Sequence, residues 1–189
     1  MDECVDGRPR TDVRALTDQV LGELQAVLHA VDPDAVAGLL DSLASARRVF
    51  HAAQGRSGLV ARASAMRWMH LGRTVYVAGE TLTPAIAEGD LLVCLSASGR
   101  TATTLHHAAT ARAAGARVAA LTSRPDSPLA GAADVVVEVP ARTTVPSAQH
   151  AGSLFEQACL VLGDLLCLAY QRQHGTADAE LDRRHANLL

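Results

Sequence analysis

The sequence predicts an α/β fold in which a five-stranded parallel sheet is flanked by helices on both faces. Short apolar segments alternate with helix-like segments along most of the 189 residues, and this alternation favours right-handed crossovers between parallel strands. Composition indicates the same class, since 49% of the residues are apolar and only 3% are aromatic. Such a core must be aliphatic, as is typical of parallel strands that are covered on both faces.

Two helices are expected before the sheet, so that residues 1–46 form an N-terminal helical extension. Apolar side chains recur at helical spacing through residues 11–31. The pair Asp32-Pro33 ends that helix, because the residue before a proline is biased away from the helical conformation. A second helix is predicted over residues 34–46.

The sheet is expected within residues 47–140. Its predicted strands are 48–54, 74–79, 90–96, 117–123 and 133–140. The helices that follow the first and third strands are predicted over 59–71 and 102–114, and a short helical segment follows the fourth strand.

Helices are also expected after the sheet. Residues 141–152 are polar and aperiodic, which predicts a loop. A long helix over 153–174 and a short final helix make residues 151–189 a C-terminal helical extension. Because no internal repeat or low-complexity linker interrupts the chain, residues 1–189 are predicted to form one domain.

Charge and residue usage argue against several classes of function. The formal charge is −3, and the 17 Lys and Arg residues form no basic block, so nucleic-acid binding has no electrostatic support. Neither a signal peptide nor a membrane-spanning segment is recognised, which predicts a cytoplasmic location without membrane contact. The eight histidines lack the spacing of metal ligands, so no metal site is expected.

The cysteines indicate a reducing compartment. Cys4, Cys94, Cys159 and Cys167 form no CxxC motif. Cys94 lies in a predicted strand, and the last two lie on the apolar side of a predicted helix. We expect buried free thiols rather than disulfides or metal ligands.

The strongest functional signal is the turn after the third strand, 96-SASGRT-101. A buried strand that leads through such a turn into a helix directs free backbone N–H groups and the positive helix end toward one point, where an anion can bind. The hydroxyls of Ser96, Ser98 and Thr101 add neutral donors for phosphate oxygens. A capped turn without a ligand is the alternative that this motif leaves open.

A second glycine-rich turn, 55-GRSG-58, follows the first strand. Ligands of open parallel sheets bind beyond the carboxyl ends of the strands, where the strand order reverses. The two turns are therefore expected to lie side by side. Neither is a GxGxxG motif or a P-loop, which disfavours a nucleotide cofactor. Together the turns predict a site for a phosphorylated small molecule.

Several stretches of the chain carry a family resemblance. They are GRSGLVARASAMRWMHLG (55–72), VYVAGETLTPAIAEGDLLVCLSASGRT (75–101), LTSRPDSPLA (121–130), GSLFEQ (152–157) and RRHANLL (183–189). These stretches resemble the sugar isomerase (SIS) domain family, over about residues 47–189. The SxSGxT turn alone is similar to SIS domains in general, whereas the GETxTPA, LFE and RHANL segments resemble the 6-phospho-3-hexuloisomerase group.

This resemblance implies a three-layer, flavodoxin-like SIS fold and a cytoplasmic homotetramer. The implied activity interconverts 3-hexulose 6-phosphate and fructose 6-phosphate through an enediol, in the ribulose monophosphate route of formaldehyde fixation. Moving the carbonyl from C3 to C2 requires removal of the C2 proton and return of a proton to C3. One carboxylate can carry out both steps without a metal or a redox cofactor.

The resemblance also implies roles for individual residues. Ser96, Ser98 and Thr101 would hold the phosphate. Glu156 of the LFE segment would be the proton-transferring carboxylate, and His185 would act near the sugar, from the same subunit or a neighbouring one. From the residues alone, Glu156 is equally a first-turn carboxylate that the helix dipole favours, and His185 a solvated histidine.

Further substrate contacts are expected around these groups. By resemblance, Ser57 would also bind the phosphate, and Gly55 belongs to the same turn. Arg56 is a candidate for contact with the sugar or the phosphate, with an ordinary surface arginine as the alternative. Glu80, in the turn after the second strand, is a candidate for binding sugar hydroxyls, with a subunit contact as the alternative.

The chain departs from the family pattern at two positions. The family's SGSGET turn is SASGRT here, so Arg100 replaces a carboxylate, and Gln54 replaces the glycine before GRSG. Arg100 can strengthen anion binding or change how the substrate or a neighbouring subunit packs. Two alternatives therefore stay open: an isomerase of another aldose–ketose phosphate pair, and a sensor that binds a sugar phosphate without catalysis. The sensor is disfavoured because no basic helix-turn-helix is recognised.

Overall fold

The computed structural model describes residues 4–5, 8–9 and 11–188. The strands are β1 (Cys4–Val5), β2 (Arg8–Pro9), β3 (Val49–Ala52), β4 (Val75–Val77), β5 (Leu91–Leu95), β6 (Arg117–Thr122) and β7 (Val135–Glu138). The helices are α1 (Val13–Ala30), α2 (Pro33–Ser45), α3 (Gly55–His70), α4 (Ala102–Ala113), α5 (Pro128–Gly131), α6 (Ser153–His174) and α7 (Asp178–Arg184). The Cys4 side chain and Leu189 lie outside the described residues.

The predicted parallel sheet is confirmed. Five strands pair in the order β4-β3-β5-β6-β7, and every pairing is parallel. This order reverses between β3 and β5, as in flavodoxin-like sheets. The short antiparallel pair of β1 and β2 was not predicted, because two-residue strands carry no periodic signal.

The start of α3 corrects the sequence prediction. The glycine-rich segment 55-GRSG-58 was expected as a turn before a helix at residue 59, but it is the first turn of α3 itself. Gly55 takes a φ of +58° at the helix entry. A Cβ at Gly58 would lie 3.2 Å from the Ala53 carbonyl oxygen. The glycines therefore allow α3 to begin directly against the end of β3. They do not form a separate turn before the helix.

Alternate side chains of the sheet build two apolar layers. On the central strand β5, Leu91, Val93 and Leu95 pack toward α2, α3 and α6, whereas Leu92 and Cys94 pack toward α4 and α5. All five residues are buried. This explains why the strand reads as a continuous apolar run rather than an alternating one.

The cysteine prediction is confirmed for the side chains that the structure describes. Cys94, Cys159 and Cys167 are free and buried. Burial raises the pKa of the Cys94 thiol to about 12. These cysteines therefore behave as small apolar core residues.

The expectation that no segment could span a membrane needs a correction. Helix α6 is long and apolar enough to do so by length and composition, although half of its most apolar window is buried inside the protein. The same test is passed by core helices of globular proteins. In α6 the side chains of Leu154, Phe155 and Leu162 belong to the apolar core, which accounts for its composition.

A buried carboxylate holds the amino-terminal edge of the sheet. The fully buried side chain of Asp90 lies 3.1 Å from Arg47 Nε and 2.5 Å from Arg48 Nη2, and it also accepts the Ala87 amide at 2.9 Å. Burial by itself would raise the pKa of Asp90. The hydrogen bonds from Arg48, Ala87 and Arg47 outweigh it and lower that pKa below its ordinary value.

Replacing this carboxylate should destabilise the fold. We expect Asp90→Asn to lower the free energy of unfolding by about 3 kcal/mol, because two arginines lose their buried partner. Because the folded-state pKa of Asp90 is lowered, its contribution is present above its ordinary pKa of 3.8 and is lost as the pH falls through the folded value.

Urea unfolding between pH 3 and pH 7 measures both effects. Asp41→Asn is the control, since Asp41 is exposed. Equal stability of the two variants at pH 7 would contradict the role of Asp90.

Candidate active site

The two glycine-rich segments meet at the point where the strand order reverses. Strands β3 and β5 are direct neighbours, with Ala52 opposite Cys94 at their carboxyl ends. Segment 55–58 therefore opens α3 beside the turn 96–101, which leads into α4. The predicted proximity of the two turns is confirmed, and the position is the usual ligand site of an open parallel sheet.

Hydroxyl groups organise the turn after β5. The Ser96 amide donates to the Leu121 carbonyl at 3.0 Å, which fixes the start of the turn against β6. Ser96 Oγ lies 3.0 Å from Thr101 Oγ1, and the Arg100 amide donates to Ser98 Oγ at 3.2 Å. Thr101 precedes α4, and its hydroxyl makes no capping bond within the described structure. The first-turn amides of α4 thus remain free to meet an anion.

Gly99 is required by the shape of this turn. Its φ is +59°, and a Cβ there would lie 2.0 Å from Ser127 Oγ and 2.4 Å from Ser127 Cβ. The Gly99 carbonyl also accepts the Leu129 amide at 3.1 Å. Only glycine permits this close approach between the turn and the start of α5.

An ion pair joins the starts of two helices at the same edge. Arg56 Nε, in the first turn of α3, lies 2.5 Å from Glu156 Oε2, in the first turn of α6. The Glu156 side chain is 13% exposed and that of Arg56 is 68% exposed. Glu156 Oε1 lies 3.5 Å from the position that a Cβ at Gly152 would take. One carboxylate oxygen is therefore held by the arginine, and the other lies beside Gly152.

A cavity of about 280 Å³ lies between the turn after β5 and the start of α6. Ser98 lines it on one side and Gly152 on the other, with Ser123 and Arg124 from the end of β6 and Arg142 from the following loop. The Ser123 hydroxyl is buried and has no hydrogen-bond partner among the described residues. A polar ligand of sugar size can lie here, between the turn after β5 and the helix that carries Glu156.

The sequence interpretation missed Ser123. This residue directly follows β6 at the carboxyl edge of the sheet, so the rule that singled out the two glycine-rich turns applies to it as well. Its signal was weak because the segment after β6 lacks a glycine-rich turn.

The remaining predicted site residues are less central. Ser57 is half-buried in the first turn of α3. Glu80 does not face the cavity: its Oε1 is 2.7 Å from Arg62 Nη2, on α3. Arg100 is exposed on the turn; its backbone amide bonds to Ser98, but its side chain makes no hydrogen bond with the described residues.

His185 lies away from the site in its own chain. Its ring stacks on His70, with centroids 5.1 Å apart, and His70 is the last residue of α3. Because α3 begins at Gly55, a rise of 1.5 Å per residue separates the two ends by about 22 Å. In its own chain the His185 ring therefore lies about the length of α3 away from the helix start that borders this site.

The chain matches known proteins along most of its length. The SIS domain family model matches residues 42–165. A 3-hexulose-6-phosphate isomerase of Mycobacterium gastri is 50% identical over 174 residues, which cover 89% of this chain and 87% of the relative. A 3-hexulose-6-phosphate isomerase of Bacillus subtilis (strain 168) is 36% identical over 176 residues, covering 90% of this chain and 95% of the relative.

Solved structures agree with these matches. A crystal structure of a Methanococcus jannaschii protein, for which the function of 3-hexulose-6-phosphate isomerase was inferred, superposes with a TM-score of 0.83 at 29% identity. The superposition covers 93% of this chain and 99% of the Methanococcus jannaschii chain. The resemblance and the fold predicted from the sequence are thus confirmed. The chain belongs to the SIS domain family and, within it, to the 3-hexulose-6-phosphate isomerases.

Proposed function

We propose that this chain interconverts 3-hexulose 6-phosphate and fructose 6-phosphate through an enediol, in the ribulose monophosphate route of formaldehyde fixation. The observation that carries the proposal is the Arg56–Glu156 pair at 2.5 Å, beside an anion-binding turn. A carboxylate at this position would suit proton transfer to a substrate whose phosphate binds at the neighbouring turn. The similarity to named 3-hexulose-6-phosphate isomerases supports this choice of substrate.

The phosphate is proposed to bind across the two neighbouring helix starts. Ser96, Ser98 and Thr101 offer hydroxyls on one side, and Ser57 with the backbone at Gly55 offers donors on the other. The free amides at the start of α4 add the positive helix end. Because the net charge of the chain is −3, an anion is not attracted by the protein as a whole, and local donors, including Arg124 and Arg142 of the cavity lining, would have to hold it.

Glu156 is proposed to move the proton between C2 and C3. It removes the C2 proton of 3-hexulose 6-phosphate, the electrons of that C–H bond form the C2–C3 double bond, and the C3 oxygen takes up a proton. In the second step the O2 hydroxyl loses its proton as the C2 carbonyl forms, and Glu156 returns a proton to C3. Arg56 orients the carboxylate and carries positive charge beside the developing oxyanion.

His185 and Glu80 are proposed to have supporting roles. His185 of a neighbouring subunit would exchange protons with sugar oxygens, because its ring in the same chain lies at the far end of α3. Glu80 forms an ion pair with Arg62 of the same chain, so Glu80 would contact sugar hydroxyls while it is paired with this arginine.

We also propose a cytoplasmic homotetramer in which residues 1–189 act as one domain. Large apolar side chains of α3 and α6 are exposed in the single chain, and covering them favours association. They are Leu59, Met66, Met69, Leu160, Leu165 and Leu168. The buried free thiols fit a reducing compartment.

The proposed activity is tested by incubating the protein with 3-hexulose 6-phosphate and measuring fructose 6-phosphate by a coupled assay. Conversion is the expected result. Binding without conversion would favour a sensor, and conversion of only another aldose–ketose phosphate would favour a different isomerase.

Glu156→Gln should abolish proton transfer while leaving the phosphate anchor intact. We expect kcat to fall by roughly 10²–10⁴-fold, the usual contribution of a positioned general base, with sugar-phosphate binding retained in calorimetry. Glu88→Gln, at the exposed residue Glu88, is the control. Near-normal turnover of Glu156→Gln would exclude Glu156 as the base.

A histidine donated between subunits can be detected by complementation. Glu156→Gln and His185→Ala should each be nearly inactive, but mixed oligomers should regain activity, since some sites then combine an intact Glu156 with a neighbour's intact His185. Sedimentation of each sample reports the oligomeric state. A monomer at micromolar concentration, or no recovery on mixing, would rule out this arrangement.

Gly99→Ala should damage the anchor itself. The added Cβ would clash with Ser127, and alanine rarely adopts the φ of +59° that this position requires. We expect the substitution to lower the free energy of unfolding by about 1–3 kcal/mol and to weaken the binding of inorganic phosphate. Thermal melts with and without phosphate measure both quantities. Gly131→Ala is the control, since a Cβ there meets nothing within 4 Å, and equal behaviour of the two variants would contradict the prediction.

A further inference from the structure

Helix α1 is tied to the loop that precedes α6. Glu23 accepts hydrogen bonds from Ser147 Oγ at 2.7 Å, from the Ala148 amide at 3.0 Å and from Gln149 Nε2 at 3.2 Å. These bonds, with that of the Ala148 amide the largest contribution, lower the pKa of Glu23 to about 2. The carboxylate is therefore ionised at any pH at which an enzyme of this kind is assayed.

The same hydrogen bonds continue to the residue after the proposed base. Gln149 exchanges two side-chain hydrogen bonds with Gln157, at 3.1 and 2.8 Å, and Gln157 follows Glu156 on α6. From within the loop, Arg142 Nη1 donates to the carbonyls of Gln149 at 2.9 Å and Ala151 at 3.2 Å. An unbroken series of contacts thus leads from α1 to the first turn of α6.

The loop needs such contacts to keep its shape. Arg142 and Ala151 have φ values of +59° and +50°, although neither is glycine. Backbone in this region persists where surrounding contacts hold it. Arg142 and Ala151 also line the cavity beside Ser98, so a change in the loop would alter the site directly.

We propose that Glu23 is a positioning residue for the isomerisation, holding the loop 141–152 and thereby the start of α6 in the geometry that the proton transfer requires. This inference rests on the proposed function of Glu156. Glu23 lies outside residues 42–165, which the SIS domain model matches. The N-terminal helical extension is therefore part of the working site and not only a cover for the core.

The first test is kinetic. We expect Glu23→Ala to lower kcat about tenfold with KM changed less than about twofold, because small displacements of a reacting group cost rate rather than phosphate affinity. Gln149→Ala should have the same effect, and the double variant should be no worse than either single one. Glu23→Gln, which keeps one accepting oxygen, should retain more activity than Glu23→Ala.

The matched control is Gln19→Ala. Gln19 Nε2 donates to the same Glu23 carboxylate at 3.2 Å, but from α1 itself, so its removal should leave kcat unchanged. Additive losses in the double variant, or an unchanged kcat in Glu23→Ala, would overturn the proposal.

The second test does not depend on turnover. Hydrogen exchange of the peptide that spans residues 141–157 should be faster in Glu23→Ala than in the wild type and in Gln19→Ala. The decisive position is the Glu156 amide, which donates to the Gly152 carbonyl at 2.9 Å. If the wild type did not convert 3-hexulose 6-phosphate, the proposed function would be wrong whatever the exchange data show. Faster exchange at Glu156 would still uphold the positioning of α6 by Glu23, and unchanged exchange would refute it.

Discussion

The parallel pairing of β3 with β5 is the constraint on which the rest of the site depends. Strand β3 leads almost at once into α3, which begins at Gly55, and β5 leads through the turn 96–101 into α4, which begins at Ala102. The two strands are neighbours although β4 lies between them in sequence. Two helix starts therefore lie side by side, and the amides of a helix's first turn, which have no partner within the helix, are the basis of the proposed anion site. Glycine is needed here because the helices must start against the sheet.

Charged groups are used differently at the two edges of the sheet. At the amino edge, Asp90 is fully buried and paired with Arg47 and Arg48, so its charge serves the fold. At the carboxyl edge, Glu156 is also paired, but its partner Arg56 is largely exposed. Asp90 has two arginine partners and no exposed side-chain surface, whereas Glu156 has one arginine partner and a side chain that is 13% exposed, so a ligand can reach it. This contrast separates the structural carboxylate from the proposed catalytic one.

The site draws on parts of the chain that are far apart. Its proposed phosphate anchor comes from the strand ends and its proposed base from the start of α6, and the loop before α6 is tied to α1 through Glu23. The His185 ring of the same chain stacks on His70, which lies about 22 Å from Gly55 at the other end of α3, so the proposed role of that histidine requires a second subunit. Association would then complete the site as well as cover the exposed apolar faces of α3 and α6.

The parallel sheet, its strands and the family could be predicted from the sequence alone, because they rest on local patterns of apolar residues, glycines and hydroxyls. The same patterns predict that the turn 96–101 binds an anion. The sequence also predicted that the two glycine-rich segments would meet. The pairing of Arg56 with Glu156 is seen only in the folded structure, since residues 100 positions apart meet through the packing of α3 on α6. The same holds for the Glu80–Arg62 pair and for Glu23. Such contacts depend on how whole helices pack, and no local pattern records them.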